Sequence, residues 1–206
     1  IEEGVFESCL INKIFIPPQI TRISDGAFFT SLFPIQVEFS PDSQLEKIGK
    51  HCFGESEIQS FCLPSSVKYL RDSSFADCGD LESFQIPADS KLEIIKRYTF
   101  SCTSINSLTI PANVKELGEC WLEDTNNLTK VTVDPSNKVF TNLYDDGKVV
   151  IGKSDIESDV HDILVFVSRD IKRFTIPSFI TNINSCAFND SLNTKHNYSF
   201  KSKVHR

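Results

Sequence analysis

Ser60-Phe61-Cys62-Leu63-Pro64, Ser83-Phe84-Gln85-Ile86-Pro87 and Ser107-Leu108-Thr109-Ile110-Pro111 are one short unit repeated three times. Each holds two core-seeking apolar residues around an outward one, the alternation of a strand. Each then stops at a proline, which has no N–H to give to a ladder. The same unit recurs at Lys13-Ile14-Phe15-Ile16-Pro17, at Lys130-Val131-Thr132-Val133-Asp134-Pro135 and at Arg173-Phe174-Thr175-Ile176-Pro177. Val37-Glu38-Phe39-Ser40-Pro41 fits with one residue inserted. From Pro17 to Pro135 the prolines step by 24, 23, 23, 24 and 24 residues, and the next step, to Pro177, is 42.

A second series keeps the same register. Phe6, Phe28, Phe53, Phe75, Phe100 and Leu122 step by 22, 25, 22, 25 and 22 residues, and Phe188 resumes the series. Apolar residues stand eight and five positions before these anchors: Ile20 and Ile23, Leu45 and Ile48, Val67 and Leu70, Leu92 and Ile95, Val114 and Leu117, Ile180 and Ile183. Three coupled slots in register identify a repeat, and a single coil of this length cannot bury its own apolar side. Stacked coils can, with parallel strands side by side and the anchor Phe residues forming an internal ladder. The slot spacing predicts a turn or short helical segment opposite the strands. Seventeen Phe beside one Trp and four Tyr match one slot that keeps asking for Phe.

The apolar-x-apolar-Pro corner, the Val or Ile pair and the Ala-Phe or Cys-Phe anchor resemble BspA-like leucine-rich repeats. The segment from Phe174-Thr175-Ile176-Pro177 through Ile183 to Ala187-Phe188 carries the likeness best. The resemblance implies a curved right-handed solenoid with parallel β-strands on one face and turns or short helical segments on the other. It also implies a cell-surface or secreted binding and adhesion role in host-associated bacteria or parasitic protists. It covers residues 1–193. It departs at Cys120-Trp121-Leu122 and at the long step after Pro135, where the family often carries an irregular coil with an Asp-Gly turn. Tyr144 to Ile151 matches that hairpin, and Ile163 to Val167 its returning strand, within an irregular coil at about 136–170. Residues 194–206 form a basic tail or cap.

Composition excludes some roles. The net charge is −7 and the pI about 5.1, so no basic face draws nucleic acid. No apolar run reaches the ~18 residues of a membrane span. The chain begins at Ile1 and has no Met, which suggests a fragment or processed segment whose signal or anchor lies elsewhere.

Gly147-Lys148-Val149-Val150-Ile151-Gly152-Lys153-Ser154 matches the P-loop formula and offers the rival reading, a nucleotide-dependent enzyme. Against it stand Asp145 and Asp146 before the first Gly and β-branched residues where a loop should be. Seven cysteines occupy repeat-locked positions without a C-x-x-C, so most read as reduced, packed thiols rather than metal ligands. Asp145, Asp146, Asp155, Glu157, Asp159 and Asp162 read as a solvated, mobile acidic insertion. Asn127, Asn189 and Asn197 open glycosylation sequons, a number near chance. No catalytic motif, cofactor site or metal site is expected.

The expected binding face is the outward row of the strands. One column is Phe15, Glu38, Cys62, Gln85, Thr109, Thr132 and Thr175. The column beside it is Lys13, Gln36, Ser60, Ser83, Ser107, Lys130 and Arg173. Small hydroxyls and amides suit a protein or glycan ligand, possibly host-derived, without a deep pocket. An intracellular scaffold using the same face is the remaining alternative.

Overall fold

The computed structural model describes residues 1–31 and 34–188, so the predicted tail, the 193 boundary and two of the sequons lie outside the described residues. The chain is a parallel β-solenoid of about seven turns. The strand–proline units form a first row: β1 (Lys13–Ile16), β3 (Gln36–Phe39), β5 (Ser60–Cys62), β7 (Ser83–Gln85), β9 (Ser107–Ile110) and β11 (Lys130–Val133). Two-residue strands ending on the slot five before each anchor form a second row: β2 (Arg22–Ile23), β4 (Lys47–Ile48), β6 (Tyr69–Leu70), β8 (Ile94–Ile95) and β10 (Glu116–Leu117).

The two rows differ in continuity. The second row is one five-stranded parallel sheet. The first row is parallel throughout but splits into three pairs, β1–β3, β5–β7 and β9–β11. The single uninterrupted sheet that the repeat predicts on that side therefore forms only in pieces.

No helix occurs among the described residues, so of the turns or short helical segments expected opposite the strands it is turns that form. The reason is conformational. Gly4, Gly26, His51, Ser73, Tyr98, Cys120 and Cys186, each two before an anchor, have positive φ. So do Ser8, Thr30, Glu55, Asp77, Cys102 and Asp124, each two after one. Gly147 is the one other such residue among those described. A left-handed residue every fourth position cannot sustain an α-helix. Instead, alternate N–H groups point along the stack. Phe28 donates to the Cys52 carbonyl at 2.8 Å, Phe53 to Ser74 at 2.8 Å, Phe75 to Thr99 at 3.0 Å and Phe100 to Trp121 at 2.9 Å. The flanking left-handed residues do likewise, as Gly26 does to Lys50 and Thr30 to Gly54. The N–H groups in between close the turn, as Phe29 does on Gly26 at 3.0 Å. The anchor turns thus make a third hydrogen-bonded ladder.

The core sits between these ladders. Phe6, Phe28, Phe53, Phe75 and Phe100 stack with centroids 4.9, 5.0, 5.1 and 5.9 Å apart and rings within 17° of parallel. Phe61 and Phe84, from the first row, stack on each other at 5.5 Å and meet the anchors edge-on at 4.7–5.2 Å. Stacked within a column and T-shaped between columns are both favoured arrangements of the ring quadrupole. Three residues after each anchor from Phe28 to Leu122 sits a small hydrogen-bonding side chain. The hydroxyls of Ser31, Thr103 and Thr125 donate to their own anchor carbonyls at 2.9, 2.9 and 2.7 Å. Ser56 and Cys78 donate to the carbonyl of the preceding anchor at 2.8 and 2.9 Å. The slot is occupied by Ser, Thr or Cys because the anchor carbonyl is buried and must be satisfied.

The long step after Pro135 is filled by an irregular coil. β12 (Phe140–Asn142) pairs antiparallel with β13 (Val149–Gly152), which pairs antiparallel with β14 (Ile163–Val167), which pairs parallel with β15 (Asn182–Ile183). Gly147, at φ +72°, makes the first turn. Buried on both faces, β13 sends Val150 into the main core and Val149 and Ile151 into a second cluster with Leu164, Val167 and Ala187. Three of the acidic residues here are built into the turns. Asp146 accepts from the Lys148 N–H at 2.9 Å, Asp155 from the Glu157 N–H at 3.0 Å, and Asp162 from the Ser154 N–H, the Ser154 hydroxyl and the Thr181 hydroxyl at 2.9, 2.8 and 2.8 Å. The insertion's carboxylates are largely exposed, as expected, and three of them also tie its turns. One correction concerns residues 173–177, expected to form a strand, which have no ladder partner. The free edge of β11 is taken by the insertion, through Val131 N–H to the Gly147 carbonyl at 2.8 Å and Val133 N–H to Asn142 Oδ1 at 2.8 Å.

Phe75→Ala should cost about 3–5 kcal/mol in urea unfolding, as other buried Phe truncations do; an unchanged midpoint would remove Phe75 from the ladder. Glu55 is exposed and left-handed, so Glu55→Gly should raise stability by up to ~1 kcal/mol. A loss instead would mean its side chain holds the turn. Hydrogen bonds from the Ser154 N–H, the Ser154 hydroxyl and the Thr181 hydroxyl hold the Asp162 carboxyl below its usual range. Its contribution is therefore complete above an unfolded value of about 3.9 and lost as pH falls through the lower folded value. Asp162→Asn should flatten the loss of stability below about pH 4, as read by thermal melts across that range.

Candidate functional site

The outward positions of the first row are exposed by the alternation that buries their neighbours. Along β9 the pattern is Ser107 out, Leu108 in, Thr109 out, Ile110 in, and β11 repeats it with Lys130, Val131, Thr132 and Val133. Phe15 is 57% exposed, and Gln36, Glu38, Ser60, Cys62 and Gln85 are exposed too, while Ser83 is half-buried. Pairing puts like slots in contact: Lys13 beside Gln36, Phe15 beside Glu38, Ser60 beside Ser83, Cys62 beside Gln85, Ser107 beside Lys130 and Thr109 beside Thr132. Within each pair the two expected columns are present. Arg173 and Thr175 are exposed but lie off the ladder, on the unpaired segment.

Several side chains on this face are already engaged. Lys13 Nζ lies 2.8 Å from Glu38 Oε1, and the Cys62 thiol points at Gln85 Oε1 at 3.1 Å. Beside the second row, charge alternates from coil to coil. Glu46, Lys68, Glu93 and Lys115 stand seven before successive anchors, with Lys68–Glu46 at 2.8 Å and Lys115–Glu93 at 2.5 Å. The hydrogen bond from Glu46 raises the Lys68 ammonium above its usual range, and Glu93 does the same for Lys115. These exposed pairs are worth little each. They neutralise the flank, while the first-row face carries small hydroxyls, amides, one large ring, the Lys13–Glu38 pair, Lys130 and the Cys62 thiol.

The first-row face is not flat. Where β3 and β5 fail to pair, a recess of about 660 Å³ runs along both strands. Its walls carry Phe15, Gln36 and Glu38 on one side and Gln59, Ser60 and Cys62 on the other, with Pro34 and Pro41 beside β3 and Pro64 beyond β5. The sequence reading expected a face without a deep pocket, and this recess is open to solvent. Five of the expected face residues meet in this recess: Phe15, Gln36, Glu38, Ser60 and Cys62.

The phosphate-loop segment has other work. Val149 to Gly152 form β13 and are buried, so their N–H groups face neighbouring strands rather than an anion. Ser154 gives both its N–H and its hydroxyl to Asp162, and Lys148 Nζ lies 2.6 Å from Asp170. A phosphate cradle needs these donors free.

The cysteines divide into three kinds. Cys52 and Cys78 are buried, and burial pushes the Cys52 thiol far up and the Cys78 thiol to about 12. Neither offers a thiolate for nucleophilic work. Cys9, Cys62 and Cys102 are free and accessible to different degrees. Cys120 and Cys186 are bridged, which the reading of packed, reduced thiols did not foresee for this pair. Glu123 lies beside them and completes the one group of potential metal ligands found among the described residues.

A family model described as the BspA type leucine rich repeat region matches in six copies over residues 34–145 and 155–205. A search of curated proteins finds no match. Among solved structures, the pneumococcal vaccine antigen PcpA is 29% identical with a TM-score of 0.78, over 91% of this chain and 43% of its own. A leucine rich cell surface protein from Faecalibacterium prausnitzii A2-165 is 20% identical with a TM-score of 0.62, over 86% of this chain and 52% of its own. A leucine-rich repeat protein from Eubacterium ventriosum is 21% identical with a TM-score of 0.69, over 84% and 44%. The latter two share the fold, and the chain spans about half or less of all three. The repeat slots, the three ladders and the six matched copies together place this chain in the BspA-type leucine-rich repeat family.

Proposed function

We propose that this chain is a non-enzymatic binding module that takes a protein or glycan ligand on the first-row face, centred on the recess between β3 and β5. The observation that carries the reading is the stacking of exposed like slots in register, interrupted by one elongated recess on the same face. Repeat folds characteristically bind through the extended surface that every coil presents. The recess runs parallel to the strands, which suits an extended peptide or a glycan chain lying along it. Its mixed lining offers a ring for stacking at Phe15 and hydrogen-bonding groups at Gln36, Gln59 and Ser60. Residence at a cell surface, with adhesion to host material, is the accompanying reading. The structural neighbours support it, one being a cell surface protein and one a vaccine antigen. No helix among the described residues is long and apolar enough to cross a membrane.

The test is a panel of host glycans and extracellular matrix proteins presented to the folded chain. Binding should fall at least tenfold in Ser60→Arg, which fills the recess, and in Gln85→Arg combined with Thr109→Arg and Thr132→Arg. Undiminished binding in both would move the site elsewhere. Calorimetric titration with magnesium-ATP should give no saturable heat; tight binding abolished by Lys153→Ala would restore the nucleotide reading.

A further inference from the structure

The seam between the sixth coil and the last described one is built unlike any other in the molecule. Each anchor from Phe6 to Phe100 gives its N–H to the residue before the next anchor. At the next step that acceptor would be the Ala187 carbonyl. It is taken instead by the Val167 N–H at 2.9 Å and by Arg169 Nη1 at 3.2 Å. The Arg169 guanidinium also donates to the Leu122 carbonyl at 2.9 Å and lies 5.1 Å over the Phe166 ring. The ladder is thus replaced by one side chain that spans both coils. At the same seam, Cys120 and Cys186 form the one disulfide among the described residues. Both stand two before their anchors, on left-handed residues, and they are 66 apart in sequence with Cα atoms 5.0 Å apart. The bridge therefore closes over the whole irregular coil. In the ordinary seams the residues two before the anchors are joined by no covalent bond, since hydrogen bonds suffice there.

We infer that Cys120–Cys186 is a redox clasp that fastens the last coil to the stack. With the bridge intact, Ala187 stays in the second apolar cluster beside Val149, Ile151, Leu164 and Val167. Reduction removes the constraint of the large loop. A dithiol reductant gives two electrons and two protons, the Sγ–Sγ bond breaks, Cys120 and Cys186 become thiols, and the reductant leaves as its own disulfide. What then holds the last coil is Arg169, the Val167 bond, the two-residue pairing of β14 with β15, the bonds of Thr181 and Asn182 to Asp162 and of Asn184 to Leu164, and the second apolar cluster. The last coil is released in a reducing compartment and docked in an oxidising one. Cys186 is half-buried, so a reductant reaches the bridge from its side. The clasp stands apart from the ligand-binding reading, because the recess between β3 and β5 lies at the other end of the stack.

The experiment is limited trypsin digestion of the full chain with and without dithiothreitol. Lys172 and Arg173 are exposed in the connection that leads into the last coil. Cleavage there should speed up at least tenfold on reduction, while sites in the first five coils stay protected. Cys120→Ser with Cys186→Ser should show the fast cleavage without reductant and no further change with it. Equal cleavage in all four samples would overturn the clasp. So would finding both thiols free by alkylation and mass spectrometry in protein kept under oxidising conditions. Zinc that protects the reduced wild type but not reduced Glu123→Gln would overturn it in favour of a Cys120–Glu123–Cys186 metal site.

Discussion

The structure depends on one backbone arrangement, the anchor turn. Left-handed residues two before and two after each anchor turn alternate N–H groups toward the next coil. A left-handed conformation costs a non-glycine residue about 1–2 kcal/mol, and most of these positions are not glycine. From the Phe6 turn to the Phe100 turn the cost recurs in every coil and is offset in every coil, because each of these turns bonds to the coil after it. A turn in isolation gains nothing from the shape. The repeat is therefore cooperative at the level of the backbone, before any side chain is counted.

The turn also decides what the side chains do. It places one ring per coil at a fixed height, and the rings meet at about 5 Å because the coils do. The small residue three after the anchor satisfies a carbonyl that the packing has buried. Two of the three ladders, the anchor turns and the second row, are then continuous through the regular coils, and they hold the stack without help from the first row. The first row is free to open. It does so between β3 and β5, which do not pair, and the recess lies there. The face proposed for binding is thus the face on which the fold depends least.

The irregular coil shows the same logic under strain. Its hairpin occupies the edge of β11, so the strand expected at 173–177 has nothing to pair with. The stack continues through the second row instead, from β14 to β15. The carbonyls exposed by this detour are met by Arg169, and a disulfide spans it. Carboxylates that look like loose surface charge are the caps of tight turns, because turns this short leave N–H groups that only a side-chain oxygen can reach.

The sequence by itself determined the repeat, its register and the inward and outward faces of the strands. These follow from periodicity, since burial must recur whenever the coil does. Phe6, Phe28, Phe53, Phe75 and Phe100 read as a ladder and stand as one. The outward slots from Lys13 to Thr132 were equally legible, because alternation along a strand is a local property. Three things were decided only in three dimensions. The left-handed residues were not legible, because His51, Glu55 and Tyr98 have no local preference for that conformation and adopt it for bonds to another coil. The recess was not legible, because it is a failure of two strands to pair. The bond between Cys120 and Cys186 was not legible, because their shared slot becomes proximity only when the coils between them fold aside.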